Sequence, residues 1–405
     1  MTSVEGALGV ALFDDRYIQD PYPLYERMHA AGPVHRIGDS EFYAVTGWNS
    51  VNEAVARCED FSSNLTGTMM REDGTVGVFP MGELGGSTQV LATADDPVHA
   101  AHRKMLLPQL AAKRIRGIES FIVETSARIF EISARGGQID WMATMANRLP
   151  MMIVGRIIGV PAEDTDKLIR WGYAATQFVE GLVTQDQLAA AGMSVMELSG
   201  YISEQFQAAG AEPRDNLLGD LAAATDSGEL DQVAALAMLI TLFSAGGEST
   251  ASLIGSAAWI LATNPAVQQQ VREEPELLGA FLEEVLRYES PFRGHYRHVV
   301  RDTELGGVSL PAGSRLFLMW GAANRDPAHF DDPNVFRLDR PAGKNHLSFG
   351  KGVHFCVGAA LARLEAAIVV GDLLERTTFI EAAETGSWLP SLLVRRLEHL
   401  TLRLD

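Results

Sequence analysis

The chain has 405 residues, of which 47% are hydrophobic and 21% are charged, and this composition excludes a disordered or low-complexity protein. With 33 basic and 52 acidic residues the formal net charge is −19, which argues against nucleic acid as a partner because phosphate binding needs a basic face. Two cysteines, Cys58 and Cys356, cannot form a disulfide framework and are typical of a reducing compartment, so we expect a cytoplasmic protein.

Most of the chain repeats apolar residues every three or four positions, a pattern that predicts amphipathic helices. In chain order, the predicted helices cover residues 23–31, 49–59, 111–135, 144–159, 162–184, 187–208, 233–264, 280–288 and 357–374. Short strands are predicted at 42–46 and within 304–320, where glycine and proline separate extended runs. Because strands and helices do not alternate, we expect a mainly α fold with a minor β-sheet part.

Segments 62–96 and 326–355 are rich in glycine, proline and short polar residues, which predicts two long loops. Loops of that length in a compact protein are usually functional. No linker rich in serine, glycine and proline divides the chain, so we expect one domain over residues 1–405.

The predicted helix over 233–264 is long and apolar enough to cross a bilayer, and Glu248 is its single charged residue. Its middle, however, contains Glu248, Ser249 and Thr250, which a membrane-spanning segment would place at the bilayer centre. A helix that is apolar on all sides also forms the centre of large soluble proteins. We therefore predict a central core helix and no membrane anchor.

The segment Phe349-Gly-Lys-Gly-Val-His-Phe-Cys356 ends just before a predicted helix. A helix N-terminus favours a thiolate over a thiol, so Cys356 could be a nucleophile or a metal ligand. A lone cysteine is otherwise a small buried apolar side chain. His346 and His354 could suggest a zinc site with Cys356, but no second Cys or His pair completes four ligands.

The spacing Phe349-Gly-x-Gly-x-His-x-Cys356-x-Gly358 resembles the haem-binding loop of the cytochrome P450 family. The resemblance implies that fold, with haem b between the long central helix and the helix that follows Cys356. It also implies that Cys356 is the axial thiolate ligand of the iron, an electron-rich ligand that favours O–O cleavage. Phe349 would then shield the sulfur, and His354 would bind a haem propionate.

Three further segments resemble parts of the same family in the same order. Glu284-Val-Leu-Arg287 matches the Glu-x-x-Arg pair of the family, and Arg340 matches the third member of that cluster. The spacing of Glu284 and Arg287 alone, without the resemblance, would predict an ion pair on the surface of a helix. Glu283 is four residues from Arg287 and could compete, but the family spacing selects Glu284. The remaining matches to propionate-binding positions are His99, Arg103 and Arg297, since Arg and His make charge-assisted hydrogen bonds to carboxylates.

The middle of the central helix, Ala245-Gly246-Gly247-Glu248-Ser249-Thr250, resembles the oxygen-binding groove of the family. A hydroxyl that reaches the carbonyl four residues back opens a helix locally. The resemblance implies that an acid, Glu248, and an alcohol relay protons to the bound oxygen. The family usually has Thr where this chain has Ser249, with Thr250 next, and the sequence leaves open which alcohol serves.

The implied activity is a haem-thiolate monooxygenase that inserts one atom of dioxygen into a mid-sized apolar substrate. Electrons would come from a separate ferredoxin and an NAD(P)H-dependent ferredoxin reductase. Residues 97–118 contain no acidic residue, and we expect part of a basic face to dock an acidic ferredoxin. Its candidate residues are Arg103, Lys104, Lys113, Arg114, Arg116, Lys344 and Lys351.

By analogy, segments 62–96 and 176–207 would form the roof of the substrate pocket. The predicted lining residues are Phe79, Met81, Phe178, Leu182, Phe243, Phe292, His295 and Leu392. Arg293, His295 and Tyr296 could anchor a carboxylate or ketone, or could support the haem edge.

Three alternative functions remain open at this level. A peroxide-driven or non-oxygenating member of the family, or a haem-based binding protein, would share the same motifs. A cysteine hydrolase would need Cys356 beside a histidine base, and His354, two residues away, is poorly directed for that role.

Overall fold

The structure is a computed structural model that describes residues 8–72, 74–81, 88–179, 182, 184–212, 214–340 and 345–405. The α-helices in these ranges, α1 to α14 in chain order, are Asp15–Gln19, Tyr22–Ala31, Trp48–Ala56, Val98–Leu106, Ala112–Ser133, Arg148–Ile158, Thr165–Gln177, Gln185–Ala211, Leu217–Asp226, Gln232–Thr263, Pro265–Glu273, Leu278–Tyr288, Trp320–Ala323 and Ala359–Arg376. The helical part dominates, as the apolar periodicity predicts.

The strands, β1 to β12, are Val34–Arg36, Phe42–Val45, Phe61–Ser62, Gly67–Glu72, Thr75–Pro80, Gln138–Asp140, His295–Val299, Thr303–Leu305, Val308–Leu310, Arg315–Leu318, Ile380–Thr385 and Leu400–Leu404. A five-stranded sheet has the order β1-β2-β10-β7-β3, and a three-stranded sheet has the order β11-β12-β6. In the larger sheet β10 runs parallel to β2 and antiparallel to β7, with Leu316 opposite Arg297. This pairing fixes Arg297 in the middle of a sheet.

Helix α10 is the centre of the fold. Its N-terminus is capped by Asp231, whose side chain accepts hydrogen bonds from the amides of Val233 and Ala234. Its first half belongs to a buried cluster with α6, α8 and α9, and its second half to a cluster with α5, α12 and α14. Among the described residues it is the one helix long and apolar enough to cross a membrane, and these two clusters enclose it. The predicted core helix is confirmed.

The structure differs from the predicted elements in several places. The predicted helix 162–184 ends as α7 at Gln177, and a π-helical turn at Met142–Ala146 precedes α6. The predicted loop 62–96 contains the hairpin β4–β5, whose threonine and valine side chains favour strands and whose turn includes Gly74 at φ +79°. The second sheet pairs segments more than 200 residues apart, which local periodicity cannot reveal.

Candidate active site

A cavity of about 290 Å³ lies between α10 and the segment that leads into α14. Its lining includes Ala245, Gly246, Ser249 and Thr250 of α10 and the Cys356 loop. The cavity lies between the two buried clusters that α10 joins. At this point α10 carries small and polar residues in place of large apolar ones. Two predicted motifs that are about 100 residues apart in sequence therefore line one cavity.

The loop before Cys356 is folded back on itself. Gly350 and Gly352 have φ of +66° and +70°, which other residues rarely adopt, and the Cys356 amide donates to the Phe349 carbonyl at 2.8 Å. Helix α14 follows, with Gly358 at its N-cap, where an added Cβ would lie 3.9 Å from the Cys356 sulfur. The loop thus holds the sulfur at the cavity wall, in front of a helix N-terminus.

Burial raises the pKa of the Cys356 thiol, and the backbone of Gly358, the charges of Arg103 and Arg363 and the backbone of Ala359 oppose that rise. The helix N-terminus alone therefore does not make Cys356 a thiolate, in contrast to the sequence-based expectation. Coordination to a metal deprotonates a thiol outright. The environment of Cys356 consequently fits a metal ligand better than a free nucleophile.

One end of the cavity is lined by cationic and imidazole side chains from three segments. They are His99, Arg103, Arg297 and His354. Burial lowers the pKa of Arg297 to about 10. Its guanidinium donates to the Tyr296 carbonyl at 2.8 Å but forms no ion pair with any residue of the described ranges. An uncompensated buried guanidinium is costly unless a carboxylate approaches it.

His99 and His354 lie against each other at this end, with 4.0 Å between ring centroids and an angle of 41° between the rings. His99 Nδ1 is 3.1 Å from Asp96, and His354 Nε2 is 2.9 Å from the Ser63 hydroxyl. His354 Nδ1 is buried and has no hydrogen-bond partner in the described part of the chain. Burial, followed by the charges of Arg297 and His99, lowers the pKa of His354 to about 4, so its ring is neutral at pH 7.

The residues present fit a haem with its two propionates. Cys356 offers a sulfur ligand, Arg297 is a buried cation, and His354 Nδ1 is a buried nitrogen without a hydrogen-bond partner in the described ranges. The small residues Ala245 and Gly246 of α10 line the opposite wall. Gly246 lies so close to Val154 that an added Cβ would be 2.7 Å from its methyl group. The lining therefore supplies a ligand on one face, small residues on the other and cations at one edge.

Ser249 and Thr250 both line the cavity. The Ser249 hydroxyl donates to the Ala245 carbonyl at 2.6 Å, which is the contact four residues back that the sequence predicts. Ala245 is exposed toward the cavity although it lies within the central helix. The structure thus places the Ser249 alcohol, the Ala245 carbonyl and the small residues of α10 together at the cavity.

Glu248 is the predicted site residue that does not line the cavity. It lies on another side of α10, buried against Arg396, with 3.2 Å between Glu248 Oε1 and Arg396 Nε. Burial raises the pKa of Glu248, and the charge of Arg396 opposes the rise. No sequence signal pointed to Arg396, because it lies 148 residues away.

Of the predicted substrate-lining residues, Phe292 and His295 border the cavity. The other six predicted residues do not border it: Phe79, Met81, Phe178, Leu182, Phe243 and Leu392. Phe243 and Leu392 are buried in the core, and Phe79 packs on Phe178 with ring centroids 6.1 Å apart. Sequence reasoning missed the lining residues Leu91, Thr241, Leu242, Pro291 and Trp320. Within the predicted roof, residues 82–87, 180, 181 and 183 lie outside the described residues.

Alternation along β7 decides which of its polar residues face the cavity. His295 and Arg297 border it, whereas the Tyr296 hydroxyl accepts a hydrogen bond from the Met69 amide at 3.4 Å. The Trp320 indole N–H donates to His295 Nδ1 at 2.6 Å, which leaves the proton on Nε2. Arg293 is buried and donates to the Ile18 carbonyl. Of the three predicted anchors, His295 is the one at the cavity.

The Glu-x-x-Arg motif forms a buried ion-pair cluster, not a surface pair. Arg287 donates to both Glu284 oxygens at 2.7 and 2.8 Å, and Arg340 donates to Glu284 at 2.9 Å. The predicted third member, Arg340, is therefore confirmed. Arg287 also donates to the carbonyls of Asn324 and Pro333, which ties α12 to the segment before the Cys356 loop.

The comparisons with known proteins agree with this geometry. The family model described as Cytochrome P450 matches residues 201–391. Cytochrome P450 144 of Mycobacterium tuberculosis is 64% identical over 391 residues, covering 96% of this chain and 90% of that protein. The Vitamin D(3) 25-hydroxylase of Pseudonocardia autotrophica is 31% identical over 370 residues, covering 89% and 87%. The solved structure of CYP109E1 from Bacillus megaterium in complex with testosterone has a TM-score of 0.85 and 28% identity, covering 96% and 99%.

Proposed function

The chain belongs to the cytochrome P450 family, a family of haem b monooxygenases, and we propose that residues 1–405 form one domain that oxygenates a mid-sized apolar molecule. The single observation that carries this proposal is the position of Cys356 across one cavity from Ala245, Gly246 and Ser249. A sulfur ligand on one wall, with small residues and an alcohol on the other, fits haem-thiolate oxygen chemistry.

In the proposed site, Cys356 would ligate the iron, and Phe349 and Gly358 would lie around the sulfur. Arg297, His354, His99 and Arg103 would hold the propionates by charge-assisted hydrogen bonds. When bound, haem supplies the activation of dioxygen and its insertion into a C–H or C=C bond. The protein supplies the thiolate, excludes water and moves protons.

Proton movement is assigned to Ser249 and Glu248, with Thr250 as the second alcohol. Ser249 holds the Ala245 carbonyl and borders the cavity, so its hydroxyl can pass a proton to a group bound there. Glu248 is one residue away on another side of the helix. Because burial raises the pKa of its carboxyl, Glu248 is the group proposed to take up a proton and then resupply Ser249. Arg396 holds the carboxyl in place.

The substrate class follows from the lining and from the relatives. Leu91, Leu242, Leu253 and Phe292 make the lining mostly apolar, and His295 offers an N–H donor to a carbonyl or hydroxyl. Relatives of this chain include proteins described as a hydroxylase of vitamin D(3) and of 6-deoxyerythronolide B. A steroid-like, macrolide-like or lipid substrate fits both observations.

The electrons are proposed to come from an acidic ferredoxin and its NAD(P)H-dependent reductase in the bacterial cytoplasm. Lys104, Lys113, Arg116 and Lys351 are exposed and available to such a partner. Arg103 instead borders the cavity, and Arg114 is paired with Asp215. Lys344, the remaining predicted residue, lies outside the described residues.

The deciding experiment is the absorption spectrum of the reduced carbon monoxide complex of protein purified from iron-replete cells. A thiolate-ligated haem gives the absorption band near 450 nm after which the family is named, and Cys356→His should abolish that band while Cys58→Ser should keep it. A colourless protein, or a spectrum indifferent to Cys356→His, would overturn the proposal. Turnover with hydrogen peroxide but not with ferredoxin would identify a peroxide-driven member instead.

A further inference from the structure

Glu283, the neighbour of the Glu-x-x-Arg glutamate, is buried and makes its own ion-pair cluster. Arg363 of α14 donates to its two carboxylate oxygens at 2.6 and 3.0 Å. His346 Nε2 is 3.2 Å from Glu283 Oε2. Burial raises the pKa of Glu283, but the hydrogen bonds from His346 and Arg363 outweigh it and lower the pKa to about 2. Glu283 is therefore ionised at neutral pH.

The orientation of His346 is fixed by a second contact. The Ser348 amide donates to His346 Nδ1 at 3.2 Å, so Nδ1 is the acceptor and Nε2 carries the proton toward Glu283. The histidine is thereby a donor to Glu283 even in its neutral form. It connects Glu283 to the beginning of the Cys356 loop.

Arg363 connects the Glu283 carboxylate to Phe349, the residue that precedes the glycines of the Cys356 loop. Its guanidinium lies over the Phe349 ring, 4.3 Å from the centroid, and His346 lies on the ring at 5.9 Å. The Phe349 carbonyl accepts the hydrogen bond from the Cys356 amide at 2.8 Å. Glu283 thus positions a cation on the ring of the residue whose carbonyl accepts the Cys356 amide.

From these contacts we propose that Glu283 is a positioning residue that fixes Arg363 on Phe349 and, by partly neutralising Arg363, sets how electron-rich the Cys356 ligand is. This inference rests on the proposed haem-thiolate function. Arg363 lies on the Phe349 ring, and the Phe349 carbonyl accepts the Cys356 amide, so this cation lies against the loop that carries the ligand. The Arg363 side chain is about a quarter exposed, so solvent screens its charge incompletely. A cation near the ligand favours the reduced iron, because reduction adds negative charge.

The test measures the oxidised-to-reduced haem ratio at one fixed applied potential for Glu283→Gln and Arg363→Gln holoproteins. Glu283→Gln removes the carboxylate that partly neutralises Arg363, so the variant should lower the oxidised-to-reduced ratio roughly three- to tenfold. Arg363→Gln removes the cation and should raise the ratio by a similar factor. Both variants break the same ion pair, so a merely structural role predicts shifts in the same direction.

Asp372→Asn is the matched control, because Asp372 pairs with Arg376 further along α14 and its loss should leave the ratio unchanged. Arg363→Lys keeps the positive charge and should have the oxidised-to-reduced ratio of the wild type. This result would show that the shift in Arg363→Gln comes from the lost charge and not from misfolding. Equal or same-direction shifts in Glu283→Gln and Arg363→Gln would overturn the inference. Wild-type protein without haem, or without the 450 nm band, would instead overturn the proposed function.

Discussion

Glu248 and Arg396 form a buried ion pair that joins the central helix α10 to the C-terminal segment, with 3.2 Å between Oε1 and Nε. The guanidinium of Arg396 also lies 4.7 Å from the Tyr173 ring of α7. The proposed acid of the proton relay is thereby anchored by two elements outside α10. This arrangement makes Arg396 a residue on which both stability and proton supply depend.

Arg396→Gln should lower the free energy of unfolding by about 3 kcal/mol, because it leaves Glu248 buried without its cation. Chemical denaturation of the variant measures the loss. The double variant Glu248→Gln/Arg396→Gln should recover much of it, since no unpaired charge remains. Arg403→Gln, which removes an exposed partner of Glu381, serves as the control and should cost little. A double variant as unstable as Arg396→Gln would contradict this account.

Ser249→Ala should uncouple the reaction, because it removes the hydroxyl that holds the Ala245 carbonyl and borders the cavity. We expect product formed per NAD(P)H consumed to fall roughly tenfold or more, with hydrogen peroxide released instead. Ser249→Thr keeps the hydroxyl and should retain coupling. Thr250→Val tests the second alcohol, and uncoupling by Thr250→Val but not by Ser249→Ala would assign the relay to Thr250.

Glu365 should make the protein less stable as the pH rises. Burial raises its pKa well above the ordinary value of 4.5, so the folded protein keeps a proton that the unfolded chain releases. Above pH 4.5 the unfolded state binds fewer protons, and stability falls by up to about 1.4 kcal/mol per pH unit until the folded pKa is reached. Unfolding titrations between pH 5 and 8 should show this slope in wild type and a smaller one in Glu365→Gln. Parallel slopes would show that Glu365 is ionised in the folded state.

The exposed basic residues should control the reduction rate by an acidic ferredoxin. Lys104→Glu/Lys113→Glu replaces two cations with anions and should slow reduction at low ionic strength by roughly tenfold. The dependence of the rate on salt should weaken as well. Stopped-flow reduction measures both effects, and Lys167→Glu, the same substitution in α7 outside residues 97–118, is the control. A reduction rate of the double variant equal to that of the wild type would show that Lys104 and Lys113 are not part of the ferredoxin-docking surface.

The sequence by itself determined the features that depend on neighbouring residues. The glycine spacing before Cys356, the polar interruption at Glu248, Ser249 and Thr250, and the three- to four-residue periodicity are all local. Glycine backbone freedom and helix geometry act over a few residues. The loop, the groove of α10 and most helices could therefore be predicted with their positions.

Only the tertiary structure decided which side chains meet. In the structure Glu248 lies away from the cavity and pairs with Arg396. Leu91 and Trp320 line the cavity, and Glu283 pairs with Arg363 and His346. These ion pairs join residues 63 to 148 positions apart, and their geometry depends on how whole helices and sheets pack. Local spacing carries no information about such pairs, because burial and ion pairing are properties of the packed chain.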